Sequence, residues 1–377
     1  MRLLAIVIAS IFLLGFLLFF SIQKDSKPAN NTVTDEERTA NPTIQEDDKN
    51  STVILTGLEI PWEIAFDQIG NLFISERPGR ILLLKKGDSK ALELVKIPDV
   101  YHIGEGGLLG LALHPDFAKN NFLYTYYTYK NKGQTLNKVV RFTKKEDLFT
   151  DQRTIIDGIP GSSNHNGGRI KFGPDGYLYI TTGDAQDASS AQDRSSLAGK
   201  ILRIRDDGSI PDDNPFSNKV YSYGHRNPQG LAWDSEGRLW STEHGRSGVQ
   251  SGLDELNLIE KGRNYGWPKI QGDETQEGLE SPKTHSGPKT TWAPSGTLFF
   301  KDSILFAGLR GQALYRAEIT KDLPEVRTFF QGSFGRLRTI ALGQDGLLYV
   351  ATNNRDGRGT PRDGDDKIIR INPADIK

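Results

Sequence analysis

Residues 164–184 read NHNGGRIKFGPDGYLYITTGD. One histidine, His165, stands between two asparagines, ahead of a glycine pair and an arginine. A strand-like run follows and ends on an acid, Asp184. An imidazole near its ordinary pKa can accept a proton at physiological pH, so the chemistry on offer is that of a base. The competing reading is a histidine satisfied within the fold. Other stretches carry cations, amides and acids in loop-like surroundings: GEGGLLGLALHPDF (residues 104–117), TTGDAQDASSAQD (181–193), YGHRNPQGL (223–231), STEHGRSGVQSGLDELN (241–257), KGRNYGWP (261–268), LRGQALYR (309–316) and GRLRTI (335–340). They are far apart in the chain and can act together only if the fold converges them.

The elements that would do so recur. GNLFISE (70–76), NFLYTYY (121–127), GYLYITTGD (176–184), GRLWSTEHG (237–245), SILFAGLRG (303–311) and GLLYVATNN (346–354) each place Leu before an aromatic residue and continue as a strand-like stretch. Several follow a turn such as PDG, SEG or QDG. Six copies, roughly 40–65 residues apart, predict an all-β, six-bladed β-propeller in which each blade is a small antiparallel sheet. A β-sandwich with coincidental turns is the alternative. A propeller gathers its ligand-binding loops at one end of the central channel, which is where the chemically rich loops are expected.

Composition agrees with this and closes other routes. The 377 residues include 40 Gly and 18 Pro, and no long amphipathic helical pattern competes with the strands. A net charge of -1 gives no electrostatic footprint for nucleic acid. The absence of Cys excludes disulfides, Cys-ligated zinc, a thiol nucleophile and a lipid anchor on Cys. No G-x-S-x-G elbow, Walker loop or dinucleotide fingerprint occurs. His102, His114, His225, His244 and His285 lack metalloprotease spacing.

The N-terminus is of another kind. Residues 3–22, LLAIVIASIFLLGFLLFFSI, are uncharged and mostly apolar. At about 20 residues such a run can cross a bilayer. It reads as an uncleaved transmembrane anchor or a cleaved signal peptide, and either places the bulk of the chain outside the cytoplasm, periplasmic or at the cell surface. Residues 24–50 have almost no large apolar side chain and read as a flexible, disordered tether. The expected organisation is an anchor or signal over 1–23, a linker over 24–50 and a propeller over 51–377.

YGHRNPQGLAW, KILRIRDDGSIPDDNPF (200–216), DELNLIEKGRNYGWP and NHNGGRI occur in this order. Together they resemble the soluble PQQ-dependent aldose dehydrogenases of the glucose/sorbosone type, over about residues 57–372. The resemblance implies a six-bladed propeller holding PQQ and Ca²⁺ over the channel mouth and oxidising an aldose at C1 to the lactone, with hydride transfer to PQQ. His165 matches the family's catalytic base and Asp184 the carboxylate that orients it; the two are expected to frame one blade strand and meet through its end loops. Arg226 and Asn227 match a PQQ-contacting pair, Arg226 with Ca²⁺ polarising the quinone carbonyl. Arg310, Arg336 and Arg338 would hold the cofactor's carboxylates, Arg310 standing where Lys is usual. Glu105 stands where relatives often have a PQQ-touching Gln, and its charge would repel the cofactor unless protonated or paired. Either Gln186 or Ser189 could supply a second family Gln position.

For the cofactor's Ca²⁺ the matching residues are Gly245 and Arg246, through main-chain carbonyls. Glu255 and Tyr265 match a second, structural Ca²⁺. The expected partners are an aldose and an electron acceptor, a quinone or cytochrome, with the membrane engaged through the N-terminal helix and the protein a monomer or dimer. Two readings stand beside this one: a Ca²⁺-dependent propeller lactonase and a non-catalytic binding propeller.

Overall fold

The computed structural model describes residues 51–377 except 249–250 and 321–322. The apolar run and tether proposed for residues 1–50 lie outside the described residues. Among those described, no helix is long and apolar enough to cross a membrane.

The strands form six four-stranded antiparallel sheets, one per blade. Inner and second strands are Pro61–Phe66 and Leu72–Glu76 in blade 1, Leu108–Leu113 and Phe122–Asn131 in blade 2, and Ile170–Phe172 and Leu178–Thr182 in blade 3. They are Pro228–Trp233 and Leu239–Glu243 in blade 4, Pro294–Phe300 and Ser303–Gly308 in blade 5, and Leu337–Leu342 and Leu348–Thr352 in blade 6. All six Leu–aromatic repeats fall on second strands. A second strand has a strand on either side and a neighbouring blade over each face, so Leu72–Glu76, Leu178–Thr182, Leu239–Glu243 and Leu348–Thr352 are buried throughout. The PDG, SEG and QDG turns join inner to second strands; Gly176, Gly237 and Gly346 sit there at φ 78, 76 and 75°, which glycine adopts without a Cβ penalty.

Blade 6 is assembled from both ends of the propeller. Its third strand, Ile368–Ile371, pairs with Ser51–Leu55, with Ser51 opposite Ile371. The inner strand of blade 6 also packs on that of blade 1, which closes the ring. The core consists of apolar clusters between blades, such as Trp62, Tyr124, Tyr126, Ile180 and Leu202 in one and Leu305, Leu314, Ile340, Val350 and Ile369 in another. The axis is polar: Arg169, 3 % exposed, pairs with Glu63 and lies 4.1 Å from the Trp62 ring centre, and its Nε donates to the Gln229 carbonyl at 2.8 Å.

Candidate active site

Inner and second strands run antiparallel, so the loop entering each inner strand and the loop leaving each second strand emerge at the same end of the ring. This corrects one expectation. His165 precedes the inner strand of blade 3, and Asp184 follows its second strand. The pair therefore frames a two-strand hairpin, because a single strand would have held them at opposite ends.

His165 Nδ1 lies 2.8 Å from Asp184 Oδ1. The same oxygen accepts the Gln186 N–H at 2.8 Å, and Oδ2 accepts the Trp267 indole N–H at 2.9 Å. Asp184 is 2 % exposed and held by three donors, a setting that fixes the carboxylate in place. With Nδ1–H donating to it, His165 presents the lone pair of Nε2, the proton-accepting nitrogen of this tautomer. The His165 backbone is left-handed, φ 58°. Its N–H donates to Glu105 Oε2 at 3.1 Å and its carbonyl accepts the Ala185 N–H at 3.1 Å. Gly183 lies against that carbonyl so closely that a Cβ there would collide with it, which explains the glycine in TTGD.

His165 opens into a cavity of about 480 Å³ lined by seven arginines (77, 226, 246, 310, 336, 338 and 358) against the carboxylates of Glu105, Asp254 and Asp356. Arg336 is bound to Asp356 at 2.7 and 3.0 Å, and Arg358 to Glu105. Asp254 is satisfied by neutral donors: Gly245 N, Thr291 Oγ1, Trp292 N and Ala293 N, at 2.6–2.9 Å. Among the described residues Arg77, Arg226, Arg246, Arg310 and Arg338 have no carboxylate within ion-pair distance. Burial pushes Arg338 down to about 9, with the Arg77 and Arg336 charges acting the same way and Asp356 opposing. Burial likewise pushes Arg77 down to about 10. Buried cations in excess call for an anion. Three buried nitrogens on the lining, Arg226 Nε, Arg246 Nε and His244 Nε2, have no hydrogen-bond partner among the described residues. A compact planar tricarboxylate such as PQQ meets both demands, so the residues present fit it.

The site residues expected from sequence divide as follows. His165, Glu105, Arg226, Arg310, Arg336 and Arg338 line the cavity, as do Gly245 and Arg246. Arg226 Nη2 donates to Ser247 Oγ at 2.9 Å, and its guanidinium lies 5.4 Å from the Trp267 ring centre. Asn227 is not on the lining: it is fully buried and its amide oxygen holds the Gly167 N–H at 3.0 Å. Gln186 reaches the cavity, whereas the Ser189 hydroxyl donates to Asp187. Glu105 is paired rather than protonated. Burial would raise its carboxyl, but His244, Arg358 and the His165 N–H outweigh this and hold it down at about 2.

The metal candidates fare less evenly. The Arg246 carbonyl already accepts the Gly252 N–H at 3.4 Å. Among the described residues no cluster of three or more His, Asp or Glu side chains could hold a metal. Glu255 accepts Asn257 Nδ2 at 3.1 Å and the Gly272 N–H at 3.3 Å. Burial, then the Glu243 charge, push its carboxyl up to about 8. Asn257 Oδ1 and Gln271 Oε1 are buried acceptors without donors among the described residues. Acceptors in surplus around a destabilised carboxylate fit a hard cation. Tyr265 contributes no hydroxyl, which donates to the Leu258 carbonyl at 2.6 Å and accepts the Glu260 N–H at 2.8 Å.

Arg77, Asp356 and Arg358 are not singled out by the sequence, and His244 is named there only as lacking metalloprotease spacing. Each stands just after a second strand, in the same loop position as Asp184, Arg246 and Arg310, so reading on from every Leu–aromatic repeat finds them. Nothing in sequence marks the Trp267 indole as a partner of Asp184.

A family model described as Glucose / Sorbosone dehydrogenase matches residues 58–369. The chain is 32 % identical to Aldose sugar dehydrogenase YliI of Escherichia coli (strain K12) over 342 residues, 82 % of this chain and 91 % of that one. It is 34 % identical to Quinoprotein glucose dehydrogenase B of Acinetobacter calcoaceticus over 260 residues, 60 % of this chain and 54 % of that protein. The PQQ-bound structure of an aldose sugar dehydrogenase from Streptomyces coelicolor matches with a TM-score of 0.80 at 39 % identity, over 85 % of this chain and 97 % of that one. The arginine-lined cavity, the His–Asp couple at its wall and these matches agree, and the chain belongs to the glucose/sorbosone dehydrogenase family.

Proposed function

We propose that the protein is a PQQ- and calcium-dependent dehydrogenase that oxidises aldoses at C1 to lactones, with His165 as the base. The observation that carries the reading is the His165–Asp184 couple facing a cavity whose cations exceed its anions. When bound, PQQ supplies the acceptor for the hydride leaving C1. The residues of the chain supply the rest. His165 Nε2 takes the C1 hydroxyl proton. Asp184, pinned by Gln186 N and Trp267 Nε1, keeps the imidazole in the accepting tautomer and stabilises the imidazolium. Arg226 would supply positive charge to stabilise the cofactor as it is reduced, and Arg310 and Arg338 would hold its carboxylates. Calcium would lie at the Gly245–Arg246 main chain, and a second ion at Glu255.

The lactonase reading needs a ring of side-chain carboxylates around a metal at this mouth, and among the described residues no cluster of three or more His, Asp or Glu side chains could hold one; it also leaves the surplus arginines with no anionic cofactor to hold. We place the activity outside the cytoplasm, on the strength of the apolar run at residues 3–22. Aldose-dependent reduction of an artificial dye, measured with and without added PQQ and calcium, tests the function. Turnover that needs PQQ supports it. No turnover with any aldose at saturating PQQ contradicts it.

A further inference from the structure

Glu105 is a carboxylate in the wall of a cavity suited to a polyanion. Its two oxygens have separate tasks. Oε1 accepts Arg358 Nη1, and Oε2 accepts the main-chain N–H of His165 at 3.1 Å. The other arm of Arg358, Nη2, donates to Asn164 Oδ1 at 2.8 Å. Arg358 comes from the loop after the second strand of blade 6, where its own N–H is tied to Asp356 Oδ1 at 2.9 Å. Glu105 comes from the loop before the inner strand of blade 2, and its N–H donates to the Ser163 carbonyl at 2.7 Å. One guanidinium from blade 6 thus ties together Glu105 and the chain immediately before His165.

Two physical consequences follow. A left-handed backbone at a residue with a side chain persists only where its surroundings over-determine it. For His165, φ 58°, the Glu105 carboxylate is one of the groups that does so. An unpaired carboxylate in the same place would repel a tricarboxylate, and Arg358 cancels that charge.

We propose that Arg358 is the counter-ion that lets this chain carry a carboxylate at position 105 in an anion-holding cavity, and that Glu105 is a positioning residue for His165 through its main-chain N–H. The inference rests on the PQQ reading and concerns residues of this chain. Arg358→Ala strands the Glu105 charge; Glu105→Gln removes that charge and keeps an acceptor for His165; Glu105→Ala removes both.

The test is the dissociation constant for PQQ with calcium, from protein fluorescence quenching, for the wild-type chain, Arg358→Ala, Arg358→Lys, and the double variant Arg358→Ala/Glu105→Gln. The expected result is a loss of about tenfold or more in Arg358→Ala, with affinity recovered in Arg358→Lys and in the double variant. At saturating PQQ, Glu105→Ala is expected to lower kcat about tenfold with the aldose KM little changed, and Glu105→Gln to keep most of kcat. If Arg358→Ala binds like the wild type, or the double variant stays as weak as the single, the counter-ion role is overturned. If Glu105→Ala keeps its kcat, the positioning role is overturned. If the wild-type chain itself takes up no PQQ, the functional reading falls and this inference with it, a result distinct from the others.

Discussion

Asp184 joins His165 to Trp267: one carboxylate oxygen lies 2.8 Å from the imidazole Nδ1 and the other accepts the indole N–H at 2.9 Å. The histidine and the tryptophan belong to different blades, so the carboxylate locks the orientation of the base to the loop after blade 4's third strand. Asp184→Asn keeps the size but can hold the imidazole in the wrong tautomer. It is expected to lower kcat by about 10²–10⁴ with the aldose KM little changed. Trp267→Phe removes one hydrogen bond, a loss of about 1 kcal/mol, and is expected to lower kcat only about fivefold to tenfold. Steady-state kinetics at saturating PQQ check both.

Arg310 and Arg338 differ in what else they do. Arg310 is exposed on the cavity lining and makes no hydrogen bond or ion pair with the described residues. Arg310→Ala is expected to weaken PQQ binding about tenfold while leaving cofactor-free stability within about 0.5 kcal/mol. Arg338 is 5 % exposed and donates to Gln229 Oε1 at 2.8 Å and Asn353 Oδ1 at 3.0 Å. Arg338→Met strands Asn353 Oδ1 and leaves Gln229 Oε1 with only the Ser295 hydroxyl at 3.3 Å, and is expected to cost about 1–3 kcal/mol of stability as well as affinity. Denaturant unfolding without PQQ, set beside PQQ titration, separates the two effects.

Glu255 gives a pH signature. Burial and Glu243 hold its folded-state pKa at about 8, above the ordinary 4.5, so the folded state keeps a proton that the unfolded chain loses first. Its contribution to stability is therefore present below the ordinary value and is lost as pH rises through the window up to the folded value. Calcium that takes the place of the proton should restore it. Between about pH 5 and about pH 8 the metal-free protein is expected to lose thermal stability, and the gain on adding calcium to grow. Glu255→Gln should flatten both trends. Thermal midpoints with chelator and with calcium read this out, and a calcium effect independent of pH and of Glu255 would place the ion elsewhere.

The blade count was legible because every second strand meets the same demand, a Leu and an aromatic residue packed between blades, and six such strands survive in recognisable form. Closure of the ring was not: the pairing of Ser51–Leu55 with Ile368–Ile371 depends on contacts across the whole chain, and neither segment carries the repeat. The site was legible where motif and loop coincide, as for His165 and Asp184. Asn227 sits in an equally strong motif, yet its amide props Gly167 from behind, a distinction of side-chain direction that spacing does not encode. Glu105 reads in sequence as a charge in the wrong place, because the arginine that pairs with it stands 253 residues away.

In the proposed reaction His165 takes the hydroxyl proton of an aldose oxidised by bound PQQ. The most direct measurement mixes the PQQ- and calcium-loaded protein with an aldose in the absence of any electron acceptor and follows the absorbance of the bound quinone, for the wild type and for His165→Ala. Rapid bleaching is expected in the wild type. Bleaching slowed by at least about 10² is expected in the variant, with PQQ bound comparably in both. Equal rates in the two proteins would contradict this role for His165.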